Sequence, residues 1–243
     1  MSRQAVVLER VRMDLVGRST IFAVDLQITD GEWLLLVGPS GSGKSLILEL
    51  AAGLVTPDEG RVLLFGKSWA DGSEDQRTAL RLQVGTALQR PGLLSNMTLF
   101  NNVALPLRYH RSALTNRDIE ETVNNHLDRL GLLSAKDRFP AEATAGELRR
   151  AAIARAMVMD PRLLLLDDPA EGLDVDMTGR LCRYLEEVRA GRPLAIMMTL
   201  RCWSPLGEGA DRVVALRDGH IVMDGSPSAL REAADAEIKR YLT

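Results

Sequence analysis

Short apolar runs bounded by turn residues recur along the chain and set its predicted elements. Residues 5–8 and 21–28 read as strands, the second alternating Ile21, Ala23 and Asp25 against Phe22, Val24 and Leu26 before the turn Thr29-Asp30-Gly31. Together they predict a small antiparallel layer. The run 34–37 is a buried strand that enters a glycine-rich turn, followed by a helix with Leu46, Leu50 and Leu54 along one side. Residues 61–65, closed by Gly66, and 82–88, ending at Gln89, predict two more strands, after which Arg90-Pro91-Gly92 breaks regular structure. Here the period changes. Helix-length segments at 116–130 and 146–159 carry interleaved charges along faces expected to be solvated. Strand and helix then alternate again: strand 163–166, helix 175–189, and strands 194–199, 212–216 and 220–223. This order predicts an α/β fold with a mostly parallel sheet, a small antiparallel β layer and an inserted helical segment, with ligands at the carboxyl ends of the strands.

Composition narrows the picture. The 243 residues suffice for one large α/β domain with an insertion, and 30 basic against 33 acidic side chains leave a net charge of −3, so no nucleic-acid partner is expected. Cys182 and Cys202 are too few for a disulfide framework and read as reduced thiols. His110, His126 and His220 lack ligand spacing. Trp33 is expected at the sheet edge and the pair Met197-Met198 in the core. The chain starts without a signal peptide, and no apolar stretch reaches membrane-spanning length, so membrane association is expected only through a partner.

The chemistry lies in the turn Gly38-Pro39-Ser40-Gly41-Ser42-Gly43-Lys44-Ser45. Its spacing is that of a phosphate-binding Walker A loop between strand and helix: backbone N–H groups cradle phosphates, Lys44 reaches the β/γ-phosphates and the Ser45 hydroxyl holds Mg²⁺. The run 163–166 ends in Asp167-Asp168, a Walker B element in which Asp167 helps position that metal. Parallel topology predicts that the phosphate loop, Gln89 and Asp167 converge. Thr144 followed by Glu147 reads as a capping box on a surface helix.

In this order the elements resemble the ATPase subunit of an ABC transporter over nearly the whole chain. Gln89 matches that family's Q-loop glutamine, Glu171-Gly172-Leu173-Asp174 its D-loop, and Thr144-Ala145-Gly146-Glu147 its signature motif. The resemblance implies a nucleotide-binding core of residues 1–89 and 161–243 with a helical subdomain of 90–160. It also implies a homodimer or heterodimer of ABC subunits with ATP and Mg²⁺ sandwiched between them, the signature helix start facing the partner's γ-phosphate, and transmembrane permease subunits as partners.

The departures fall on residues of the reaction. Asp168 stands where the family has the glutamate that activates water, one methylene shorter, and Leu200 replaces a switch histidine. Thr144 replaces the signature serine, Ala145 the first glycine and Glu147 the glutamine. Residues 13–16, where the family offers an aromatic ring to adenine, hold none. The expectation is ATP binding with slow hydrolysis, or a degenerate regulatory subunit beside an active homologue. Leu93, Leu94, Met97, Leu99 and Phe100 are a candidate docking group for membrane subunits, with inward packing as the alternative. Residues 102–108, Arg149-Arg150-Ala151 and the tail 237–242 look most like the ATPases of MCE-type (Mla-like) phospholipid transporters, with amino-acid importers and lipoprotein-release systems as the alternatives, and the resemblance implies a place on the cytoplasmic face of the bacterial inner (plasma) membrane.

Overall fold

The computed structural model describes residues 4–15, 19–201, 203–233 and 239. Strands β1 (Gln4–Leu15) and β2 (Ser19–Thr29) form a long antiparallel hairpin, and β4 (Glu59–Leu64) and β5 (Lys67–Ser68) complete a four-stranded sheet in the order β2-β1-β4-β5. The second sheet holds β3 (Trp33–Val37), β6 (Val84–Ala87), β7 (Leu163–Asp167), β8 (Ala195–Thr199), β9 (Arg212–Arg217) and β10 (His220–Gly225), in the order β10-β9-β3-β8-β7-β6. Within it only the β9–β10 pair is antiparallel.

The central strands are apolar on both faces because both faces are covered. Trp33, Leu35, Val37, Leu164, Leu166, Ile196 and Met198 join a core with the helices α3 (Leu99–His110), α4 (Asn116–Arg129), α5 (Ala145–Met157) and α6 (Val175–Gly191). Their alternates Leu34, Leu36, Leu163, Leu165, Ala195 and Met197 face the antiparallel layer and α1 (Lys44–Ala51). The helix after the glycine-rich turn is thus sandwiched between the two sheets. Between β6 and β7 the chain carries α3, α4, α5 and two single 3₁₀ turns. Among the described residues no helix is long and apolar enough to cross a membrane.

Several expectations are corrected. Trp33 is not at a sheet edge: β3 is flanked by β8 and β9, and the ring is fully buried. Leu54 lies beyond the end of α1 and is 54% exposed, leaving Leu46 and Leu50 as the buried side. The strand expected over 82–88 is only Val84–Ala87, because α2 (Glu74–Arg81) precedes it, started by a Ser73/Gln76 capping box. The helical middle begins with α3, capped by Thr98 and carrying Pro106 inside. Leu99 is fully buried, and Leu93 and Phe100 pack on the core, which leaves Leu94 (42%) as the exposed member of the group named as a docking candidate. The α5 face bearing Arg149 and Arg150 is buried, not solvated. Cys202, Val16 and all of the tail 237–242 but Lys239 fall outside the described residues.

His126 on α4 shares a 2.7 Å hydrogen bond through Nδ1 with the Tyr184 hydroxyl on α6. Burial lowers its pKa from 6.5 to about 4. The folded imidazole therefore stays neutral while the unfolded chain takes up a proton first, so stability is full above the unfolded value and declines as pH falls from about 6.5 to about 4, by about 3 kcal/mol at most. Urea unfolding compared at about pH 7.5 and about pH 5 should show this loss, and His126→Gln should flatten it.

Candidate functional site: a phosphate loop at the strand ends

The turn after β3 depends on glycine. Gly38, Gly41 and Gly43 have φ of +141°, +81° and +102°. A Cβ on Gly38 would lie 2.1 Å from the Leu216 carbonyl oxygen, and one on Gly43 2.5 Å from Ile21 Cγ2, so backbone conformation and space both demand glycine there. The Ser42 N–H donates to the Pro39 carbonyl (3.2 Å), which closes the loop. No side chain caps α1 and no acidic residue stands in its first turn. Its positive end is therefore free to receive an anion. Lys44 Nζ folds over the loop, donating to the carbonyls of Gly38 (2.7 Å) and Pro39 (2.8 Å). Burial lowers the Lys44 pKa, Asp167 and Asp168 oppose that shift, and Arg201 adds to it. Ser40, Gly41 and Ser45 are exposed, Pro39 is partly exposed, and Ser42 is buried.

The parallel register brings the second half of the site alongside. Asp167 of β7 pairs with Thr199 of β8, and Thr199 in turn lies one register step from the end of β3. The Thr199 hydroxyl donates to Asp167 Oδ1 (2.6 Å) and accepts from the Asp168 N–H (3.0 Å), so one side chain orients both acidic residues. Asp168 has φ +50°, in the left-handed region that aspartate tolerates better than most residues. Burial raises its pKa, and Arg201 is the main opposing influence. Arg201 Nε lies 2.9 Å from Asp168 Oδ2. Leu200 is 2% exposed in the core and offers no hydrogen-bonding atom.

Beneath the acidic pair sits Arg149, 3% exposed. Its guanidinium donates to the carbonyls of Leu88 (2.8 Å) and Gln89 (2.7 Å) and to Glu171 Oε2 (2.8 Å), and reaches the Asp167 carbonyl at 3.5 Å. One buried cation thereby joins the ends of β6 and β7 to the turn at Glu171. Gln89 is held by its backbone while its side chain is exposed. Thr144, Ala145, Gly146 and Glu147 gather elsewhere, around the turn at Gly172-Leu173: a Cβ on Gly146 would come 2.6 Å from the Gly172 carbonyl oxygen. Thr144 caps α5 by accepting from the Glu147 N–H (3.2 Å), and Glu147 Oε2 accepts from the Thr144 N–H (2.8 Å) and hydroxyl (3.1 Å). Burial works to raise the Glu147 pKa, yet the Thr144 hydrogen bonds and Arg138 hold it below its ordinary value. A carboxylate therefore stands at the start of α5.

Thr199, Arg149 and Arg201 went unassigned in the sequence. Thr199 had a faint signal, a hydroxyl ending an apolar strand run; a buried arginine beside Ala151-Ala152-Ile153-Ala154 had none, because interleaved charge reads as a solvated face. The oxygen donors at the loop, the Ser45 hydroxyl and the Asp167 carboxylate, are the hard ligands Mg²⁺ prefers, and such sites take few protein ligands beside substrate phosphate and water. Removing the Arg149 charge strands two carbonyls and takes away the nearer of the two cations on Glu171, so Arg149→Ala should lower unfolding free energy by about 3 kcal/mol, and Arg149→Lys should recover only part because an ammonium lacks the planar fork. Chemical denaturation of the purified variants measures both.

The model of the ABC transporter family matches residues 21–171. A methionine import ATP-binding protein of Rhodopseudomonas palustris is 35% identical over 228 residues, covering 91% of this chain and 60% of that protein. A sulfate/thiosulfate import ATP-binding protein of Bordetella bronchiseptica is 38% identical over 214 residues, covering 86% and 58%. The chain thus spans about 60% of the length of these curated relatives. Among solved structures, the dimeric bacterial ABC transporter cassette MJ0796 superimposes with a TM-score of 0.85 at 26% identity, covering 91% of this chain and 98% of that one, and the same cassette has been solved bound to ADP and Pi after hydrolysis. With the family model matching well over half of its 243 residues, the chain belongs to the ABC transporter family, as one of its ATP-binding domains.

Proposed function

We propose that this chain is the ATP-binding subunit of a membrane transporter: it closes on a second ABC subunit across ATP, passes that closure to transmembrane permease subunits, and resets by slow hydrolysis. The convergence of Lys44, Asp167 and Asp168 at one end of the parallel sheet carries this reading. Lys44 neutralises phosphate charge, with the backbone of residues 38–45 as the cradle. Mg²⁺, held by Ser45, Gln89 and Asp167, supplies further charge neutralisation on the phosphates. Thr144, Ala145, Gly146 and Glu147 belong to the site of the opposing subunit. A dimeric relative of high structural similarity supports that arrangement. The helical stretch 90–160 is the lever, and the complex sits on the cytoplasmic face of the inner membrane.

Slow hydrolysis follows from the reaction end of the site. Asp168 is short and paired with Arg201, and Leu200 is apolar and buried. Proton transfer needs hydrogen-bond reach, which a carboxylate one methylene short supplies poorly. Glu147 adds a negative charge where the signature helix would meet phosphate. For the cargo, the resemblance of residues 102–108 and the Arg149-Arg150-Ala151 run to Mla-like ATPases favours phospholipid, while the relatives named for methionine and sulfate import favour a small polar solute. Turnover of the complete transporter raised by phospholipid supports the first; turnover raised only by a solute-loaded receptor replaces it with the second.

Lys44→Ala should weaken Mg-ATP binding by more than about ten-fold and remove residual turnover. Asp168→Glu should raise turnover by about ten-fold or more if the rest of the water site is intact. Equilibrium binding and steady-state turnover, alone and with the permease, check both; brisk wild-type turnover that depends on Lys44 rejects slow hydrolysis.

A further inference from the structure

Arg201 stands just past the end of β8, beside the acidic pair and within electrostatic reach of Lys44. Thr199, the last residue of β8, pairs with Leu36 of β3 and with Asp167 of β7, and Arg201 follows it by two residues, close enough to Lys44 of the phosphate loop for its charge to lower the lysine's pKa. Neighbouring strands are about 4.8 Å apart, well within the span of an arginine side chain. The guanidinium is ion-paired to Asp168 Oδ2 at 2.9 Å and to Glu171 Oε1 at 3.5 Å. Both contacts are close in distance, yet no N–H of Arg201 makes an aligned hydrogen bond among the described residues, and the side chain is 55% exposed.

Its two anions are unequally dependent on it. Glu171 is already held by Arg149 through its other oxygen, at 2.8 Å. Asp168 has no other cation paired with it among the described residues, though its backbone is fixed by Thr199. A dianionic terminal phosphate arriving at the loop would compete for Arg201 more strongly than one carboxylate, because charge-assisted bidentate pairing suits phosphate oxygens and a guanidinium alike.

We propose that Arg201 is the γ-phosphate-sensing cation of this site: it pairs with Asp168 when no triphosphate is bound and transfers to the terminal phosphate of a nucleoside triphosphate, leaving the Asp168 carboxylate free to meet water. The proposal rests on the nucleotide-site reading above and assigns to Arg201 a contact that Leu200 cannot make.

The test is equilibrium titration of the full chain with fluorescent ATP and fluorescent ADP in Mg²⁺, for wild type, Arg201→Ala, Arg201→Lys and Lys44→Ala, with thermal melts as a control for folding. Arg201→Ala should lose about ten-fold or more in triphosphate affinity and less than about two-fold in diphosphate affinity, since one charge-assisted contact is removed from the terminal phosphate only. Arg201→Lys should restore part of the difference. A structural role would move both affinities together or shift the melt. Equal losses for ATP and ADP, or none, in a folded variant overturn the assignment while leaving the nucleotide site standing. A wild-type chain that binds neither nucleotide overturns the site reading and this assignment with it.

Discussion

Strands β3, β8 and β7 are apolar on both faces, and that double burial is the constraint on which the rest depends. A strand with no polar face has to be covered twice, so the chain supplies α1 and the antiparallel layer on one side and four helices on the other. Once the three strands are packed side by side in parallel, their carboxyl ends coincide. Within the three strands the charged and hydroxyl side chains are the last residues of β7 and β8, Asp167 and Thr199, both at that edge. The phosphate loop and the acidic pair are neighbours for the same reason that the core is dry.

At that edge the charges alternate. Lys44, Asp167, Asp168, Arg201, Glu171 and Arg149 supply three cations and three anions, linked by contacts of side chain and field. Such a balance tolerates burial of Arg149 and Asp167, since each buried charge has a partner or several carbonyls. It also sets what an incoming polyphosphate encounters: a helix start with no acid, an ammonium bent over its own loop, and a half-exposed guanidinium engaged with the carboxylate best placed to act as base. The start of α5 differs sharply, with Glu147 bound into a capping box. The two helix termini in this chain are thus opposite in electrostatic character, one open to anions and the other occupied by one.

Much of this was legible in advance where local rules apply. The glycine-rich turn between an apolar strand and a helix, the strand ending in Asp167-Asp168, and the Thr144/Glu147 cap are short-range patterns, and each lies where its residues predicted. The helices given no bounds in advance also start on local signals: Ser73/Gln76 begins α2 and Thr98 begins α3. What was misread was solvation. Arg149 and Arg150 fit any exposed amphipathic face by spacing, and only the carbonyls of Leu88 and Gln89, and of Leu130 and Gly131, explain why they are inside.

The sequence by itself determined the α/β class, the phosphate loop and the acidic strand end, because apolar runs, glycine positions and capping residues act within a few residues of one another. The tertiary structure alone decided that Thr199 orients both aspartates, that Arg149 ties three segments beneath them, and that Arg201 pairs with Asp168. These contacts join residues 18 to 61 positions apart or follow from strand register, and register across a sheet is set by how the faces pack, which no local pattern encodes.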